Sequence, residues 1–118
     1  MDPAKAYSTV REHCLAKDDV TEEFPWGDIV WKRKDKGFVF TSEGSARFTV
    51  KSTIEKQSSL IMHPQITIAA YVGRHGWITI EVIDEDTLGL ALDLIDESYE
   101  RVGKPTKGRA KVSLDERC

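Results

Sequence analysis

Apolar and polar positions recur with two different periods along this chain, and each change of period marks an element. From Ala46 to Lys51 and from Trp77 to Val82 every second residue is apolar: Phe48 and Val50 in the first run, Ile78, Ile80 and Val82 in the second. A period of two sends alternate side chains to opposite faces of a strand, so Arg47, Thr49 and Lys51, with Trp77, Thr79 and Glu81, are predicted to face the other way. Between Leu88 and Val102 the spacing becomes three and four, through Leu88, Ala91, Leu92, Ile95, Tyr99 and Val102. That stripe predicts an amphipathic helix, capped by Asp84, stopped at Gly103 and kept from resuming by Pro105. Tyr7, Val10 and Cys14 repeat in the same way behind Asp2-Pro3, which predicts a first helix to about residue 16.

Weaker patterns fill the gaps. Ile29–Lys34 and Gly37–Thr41 flank Asp35-Lys36 as a hairpin, and Ser42–Ser45 forms a second turn, so three strands make an antiparallel meander with one wet face. Ser52 and Glu55 fit a capping box opening a short helix, with Ile54, Ser58 and Ile61 on its inner side, that ends by His63 because Pro64 follows. Gln65 to Ala70 reads as a weak strand or an extended connection. Val20 to Asp28 reads as a connector whose Phe24-Pro25-Trp26-Gly27 turn is pinned to the core by its aromatics. Asp18, Asp19, Glu22 and Glu23, leading into and along it, read as a solvated acidic loop, not a metal cage. The order of elements predicts an α+β fold: an antiparallel sheet with helices packed on one face, a two-layer sandwich spanning 1–103, followed by a disordered basic tail, 104–118.

With 118 residues, the chain fits one domain. It has no apolar run near the ~20 residues of a membrane helix, Met1-Asp2-Pro3-Ala4-Lys5 lacks the apolar centre of a secretory signal, and it reads as a cytoplasmic monomer without a membrane role. Cys14 reads as core filler; Cys118 has no partner at disulfide or zinc spacing. The net charge is −3, which argues against a strong, indiscriminate grip on nucleic acid. The distribution is uneven, however. Residues 29–56 carry a balance of +4 and residues 84–101 a balance of −6.

Catalytic signals are missing. His13, His63 and His75 fall outside metal-ligand spacing, and neither a nucleophile motif nor a phosphate loop occurs. No enzyme activity, cofactor or metal is expected. Binding chemistry is better represented. Lys32, Arg33, Lys34 and Lys36 lie on the hairpin, Arg47 and Lys51 on the wet side of the third strand, and Arg74 and His75 in the Gly73–Gly76 loop. Such cations suit phosphate contacts, giving weak, salt-sensitive association with DNA. The alternative is a solvated face on a protein-interaction or small-ligand module. There, Trp26, Tyr71 and Trp77 would rim a pocket, although burial of the tryptophans in the core competes.

Several of these stretches together resemble one family, the MmcQ/YjbR-like proteins: the Phe24-Pro25-Trp26-Gly27 turn, the Trp31–Phe40 hairpin, the helix ending before Pro64, the run Tyr71-Val72-Gly73-Arg74-His75-Gly76-Trp77, and the late Glu97-Ser98-Tyr99-Glu100-Arg101-Val102. The resemblance covers about residues 4–103 and is most specific at Tyr71–Trp77. It implies a sandwich of the frataxin/CyaY kind and a double-wing mode of DNA contact through loops and strands. Frataxin's acidic iron-binding ridge has no matching motif here.

Overall fold

The computed structural model describes residues 1–103; the expected disordered tail, 104–118, lies outside the described residues, as does the side chain of Trp26. Helix α1 (Pro3–Leu15) starts where Asp2 accepts a hydrogen bond from the Ala4 amide at 3.2 Å, and it buries Ala6, Val10 and Cys14. Then come β1 (Val20–Glu23), β2 (Ile29–Arg33), β3 (Lys36–Thr41) and β4 (Arg47–Val50), followed by α2 (Ile54–Leu60), β5 (Ile66–Ile68), β6 (Ile78–Glu81) and α3 (Glu85–Gly103). The strands form one antiparallel sheet in the order β1-β2-β3-β4-β6-β5. Helices pack against it, giving the expected α+β two-layer arrangement. No described helix is long and apolar enough to cross a membrane.

The core lies between the sheet and the helices. Trp31, Phe38, Phe48, Ile78, Ile80 and Ile95 are fully buried there, as the alternation in β4 and β6 requires. Cys14 sits in the same layer, and burial pushes its thiol up to about 12, consistent with an inert filler. Asp84 caps α3 by accepting from the Thr87 amide at 2.8 Å, while the Thr87 hydroxyl receives the Ile83 and Asp84 amides. Ser98 adds a polar tie inside the core. Its hydroxyl donates to the Phe38 carbonyl at 2.7 Å and accepts from the Lys51 amide at 2.9 Å, joining β3 to the end of β4.

Several local expectations are corrected. The connector contains a strand, β1, which pairs with β2 from Val20↔Arg33 to Glu23↔Val30, so Glu22 and Glu23 belong to a sheet and not to a solvated loop. The hairpin turn is Lys34-Asp35, one residue earlier than expected, with Lys34 at φ 58°. Thr53, not Ser52, caps α2 by accepting from the Lys56 amide at 3.1 Å. Ile54 and Ile61 are exposed, and Gln57 is the residue that α2 buries. Gln65–Ala70 does contain a strand, β5. On α3, Leu94 and Ser98 are buried and Leu92 only half-buried.

Candidate nucleic-acid interface

The register of the sheet decides which cations meet. Arg33 pairs with Lys36 beside the β2–β3 turn, Val39 with Val50, and Val50 with Ile78. Lys51 and Trp77, one step beyond the last two residues, therefore lie at the same end of the sheet as that turn. The 3-10 turn Gly73–His75 is held there as well, because the Ser52 amide donates to the Gly76 carbonyl at 3.2 Å. Gly76 is at φ 97°, and a Cβ on it would come within 2.8 Å of the Thr53 backbone, so only glycine fits. Gln57 fixes the turn from below: its amide nitrogen donates to the carbonyls of Gly73 at 2.7 Å and Trp77 at 2.9 Å. Two turns, one carrying Lys34 and the other Arg74 and His75, thus project from one end.

The eight candidate residues separate on this frame. Lys34, Lys36, Arg74 and His75 are exposed and Lys51 is half-buried; among the described residues none of the four lysines and arginines in this group forms an ion pair. Arg74 Nε donates to His75 Nε2 at 3.3 Å. Lys32 instead meets Glu23 at 3.0 Å across the β1–β2 pair. Arg47 sits at the other end of the sheet, 3.8 Å from Glu81. Arg33 faces the helices: its Nη1 donates to the Tyr99 carbonyl at 3.0 Å and its guanidinium lies 4.1 Å from the centre of the Tyr99 ring. The alternation through Ile29 and Trp31 already carries that signal, since residue 33 shares their face. The eight side chains therefore do not tile a single wall.

The open face of the sheet, opposite the helices, is otherwise neutral. Phe40 is 40% exposed and packs edge-on to the half-buried Trp77 at 5.5 Å, and the Thr49 and Thr79 hydroxyls meet at 2.7 Å. Tyr71 is 97% exposed.

On the helix side three acids are tied down. Glu22 receives Arg11 Nε at 2.7 Å, Arg11 Nη2 at 2.9 Å and Trp31 Nε1 at 2.8 Å; the Arg11 bonds outweigh burial and hold its carboxyl below the usual range. Asp96 meets Lys17 at 2.6 Å and His13 at 2.7 Å; burial works to raise its carboxyl, and those two partners overcome it. Glu97 binds Lys56 and Arg101 with the same outcome. These acids are ordinary surface charges in the sequence, and no spacing rule links Glu22 to Trp31 or Asp96 to His13. Beside Glu22 a cleft of about 440 Å³ opens between α1 and β1, walled by Tyr7 and Phe24 and edged by Arg11, Glu12 and Glu43. Phe24, expected to pin its turn to the core, instead stands 64% exposed at this cleft, which corrects that expectation.

The three histidines serve separate local roles. His13 binds Asp96, the His63 Nδ1 accepts from the Gln65 amide at 3.0 Å, and His75 accepts from Arg74. Among the described residues no three His, Cys, Asp or Glu side chains gather in a metal-binding arrangement. No curated protein matches the chain. The family model for YjbR matches residues 15–101, from the last turn of α1 almost to the end of α3, and the chain belongs to the YjbR family.

Proposed function

We propose that this protein binds DNA weakly and without strong sequence preference, through the Lys34-Asp35 turn and the Gly73–His75 turn, as a cytoplasmic monomer acting by binding and not by catalysis. One observation carries the reading: Lys34, Lys36, Lys51 and Arg74 come together at one end of the sheet with no carboxylate partner among the described residues. Unpaired cations on two projecting turns suit the phosphates of a backbone, which position a protein on DNA without reading bases. Arg74, on the tip held by Gln57 and Gly76, has a planar fork able to take a phosphate in two hydrogen bonds. Lys32 and Arg47 contribute less on this reading, because each already has an acid beside it, and Arg33 contributes only as an internal tie.

The test is fluorescence anisotropy with a short labelled duplex across a salt series. The expected result is binding at low salt that falls steeply as salt rises, with the log–log slope reduced by about 2–3 in the Lys34→Ala/Lys36→Ala/Arg74→Ala variant, close to one unit per lost phosphate contact. Flat isotherms at low salt, or an unchanged slope in the variant, refute the assignment.

A further inference from the structure

We propose that the cleft between α1 and β1 is a binding site for a small organic cation, an alkylguanidinium or alkylammonium. This site is separate from the turns assigned to DNA and does not depend on that reading. At about 440 Å³ it falls within the range of small-molecule pockets. Two of its seven lining residues are aromatic: Tyr7 is seated against Trp31 at 6.1 Å between ring centres, and Phe24 faces water at 64% exposure. A large apolar ring left at the mouth of a cleft has surface to bury against an occupant, and the faces of two aromatic rings attract a cation.

The charges around the cleft select the same class. Its edge carries Glu12, Glu22 and Glu43 against Arg11 alone, and Arg11 is committed to Glu22 through two hydrogen bonds. Glu22 Oε2 takes two donors, Arg11 Nε and Trp31 Nε1, whereas Oε1 takes only Arg11 Nη2. Oε1 therefore keeps an accepting position at the cleft. A guanidinium or ammonium entering the cleft beside Tyr7 and Phe24 would donate there, with Glu12 and Glu43 completing the countercharge. The Tyr7 phenol is pushed up by burial first and then by Glu22, against a lowering pull from Arg11 and a smaller rise from Glu43.

The experiment is an amide NMR titration of the full chain with n-butylguanidinium and with its neutral isostere n-butylurea, at constant ionic strength. Saturable shifts at Tyr7, Ser8, Arg11 and Phe24 are expected for the cation, with the urea weaker by about ten-fold or more. Phe24→Ala, at an exposed position, is expected to weaken the cation by about five-fold or more, as is Glu12→Gln with Glu43→Gln. The proposal is overturned if the shifts do not saturate or spread over the acids of α3, if n-butylurea binds as well, or if Phe24→Ala binds like the parent while its spectrum shows it folded.

Discussion

Two groups of charge can be set side by side: the acids and cations between the helices and the β1–β2 edge, and the cations on the turns at the β2–β3 end of the sheet. In the first group Arg11, His13, Lys17, Glu22, Arg33 and Asp96 each have a partner fixed by tertiary packing. Arg11 holds Glu22, Glu22 holds Trp31 Nε1, Lys17 and His13 hold Asp96, and Arg33 and Lys17 flank the Tyr99 ring at 4.1 Å and 5.0 Å. In the second group Lys34, Lys36, Lys51 and Arg74 project without ion pairs among the described residues. Residue type is shared across the two groups, so type does not separate structural charge from available charge. What separates them is whether a neighbouring element arrives with a partner.

The comparison breaks most visibly at Glu22. Replacing it with alanine leaves the indole N–H of the fully buried Trp31 without its acceptor and strips Arg11 of both its bonds. The expected loss is about 2–3 kcal/mol, seen as a fall in the urea midpoint and a Tm lower by roughly 10 °C. Arg11→Ala should cost clearly less than Glu22→Ala, because its side chain is 43% exposed and solvent screens the pair. If the two variants cost the same, the ion pair and not the indole bond is what matters there.

Arg33→Ala comes next, with an expected loss of about 1–2 kcal/mol from the hydrogen bond to the Tyr99 carbonyl and the contact with its ring. Gly103 packs so close to Arg33 that a Cβ would overlap the guanidinium, so the loss should loosen the end of α3, and faster amide exchange there checks it. The same substitution should leave the salt slope of DNA binding unchanged, in contrast to Arg74→Ala.

The tied group also predicts a pH dependence. Glu22, Asp84, Asp96 and Glu97 all have carboxyls held below their ordinary values: by Arg11 for Glu22, by the Thr87 backbone for Asp84, and by cations that overcome burial for the other two. A folded pKa below the unfolded one means the native state binds fewer protons, so these groups contribute stability that is complete above about pH 5 and is lost as pH falls through about 4 and below. Denaturant midpoints measured between pH 3 and 7 should therefore drop on the acid side, and Glu22→Gln should flatten part of that drop.

How far these relations were readable from the sequence depends on whether they are local. The faces of β4 and β6 follow from Phe48, Val50, Ile78 and Ile80 because a strand repeats every second residue, and α3 follows from a stripe at helical spacing. Edge strand β1 escapes because Val-Thr-Glu-Glu has a single apolar residue; its stability comes from pairing with β2 and from Glu22 reaching Arg11 and Trp31. The α2 cap moves from Ser52 to Thr53 between two hydroxyl residues that composition does not distinguish. Gln57 is invisible as a core position because it is polar, and it is buried only because two loop carbonyls need its amide. The cations of the candidate interface were legible by type, and the alternation through Ile29 and Trp31 places Arg33 on the inner face, but the pairing of Lys32 with Glu23 required the β1–β2 register.

The smallest expected effect on stability is the one that most sharpens the comparison. Lys34, Lys36 and Arg74 make no ion pair with a described residue, so replacing all three with alanine removes no compensated charge. The Arg74 side chain loses only its 3.3 Å bond to His75, and Lys34 keeps its backbone bond to the Asp19 carbonyl at 2.8 Å. Alanine at Lys34 retains a residue at φ 58°, a conformation already carried there by a residue with a Cβ. The change in stability should therefore stay within about 0.5 kcal/mol, the ordinary range for surface substitutions. Equilibrium urea unfolding measures it directly. A loss of about 2 kcal/mol or more would mean that these cations are held by partners after all, and the distinction between charges that fasten the fold and charges that face a ligand would fail at the residues on which it was drawn.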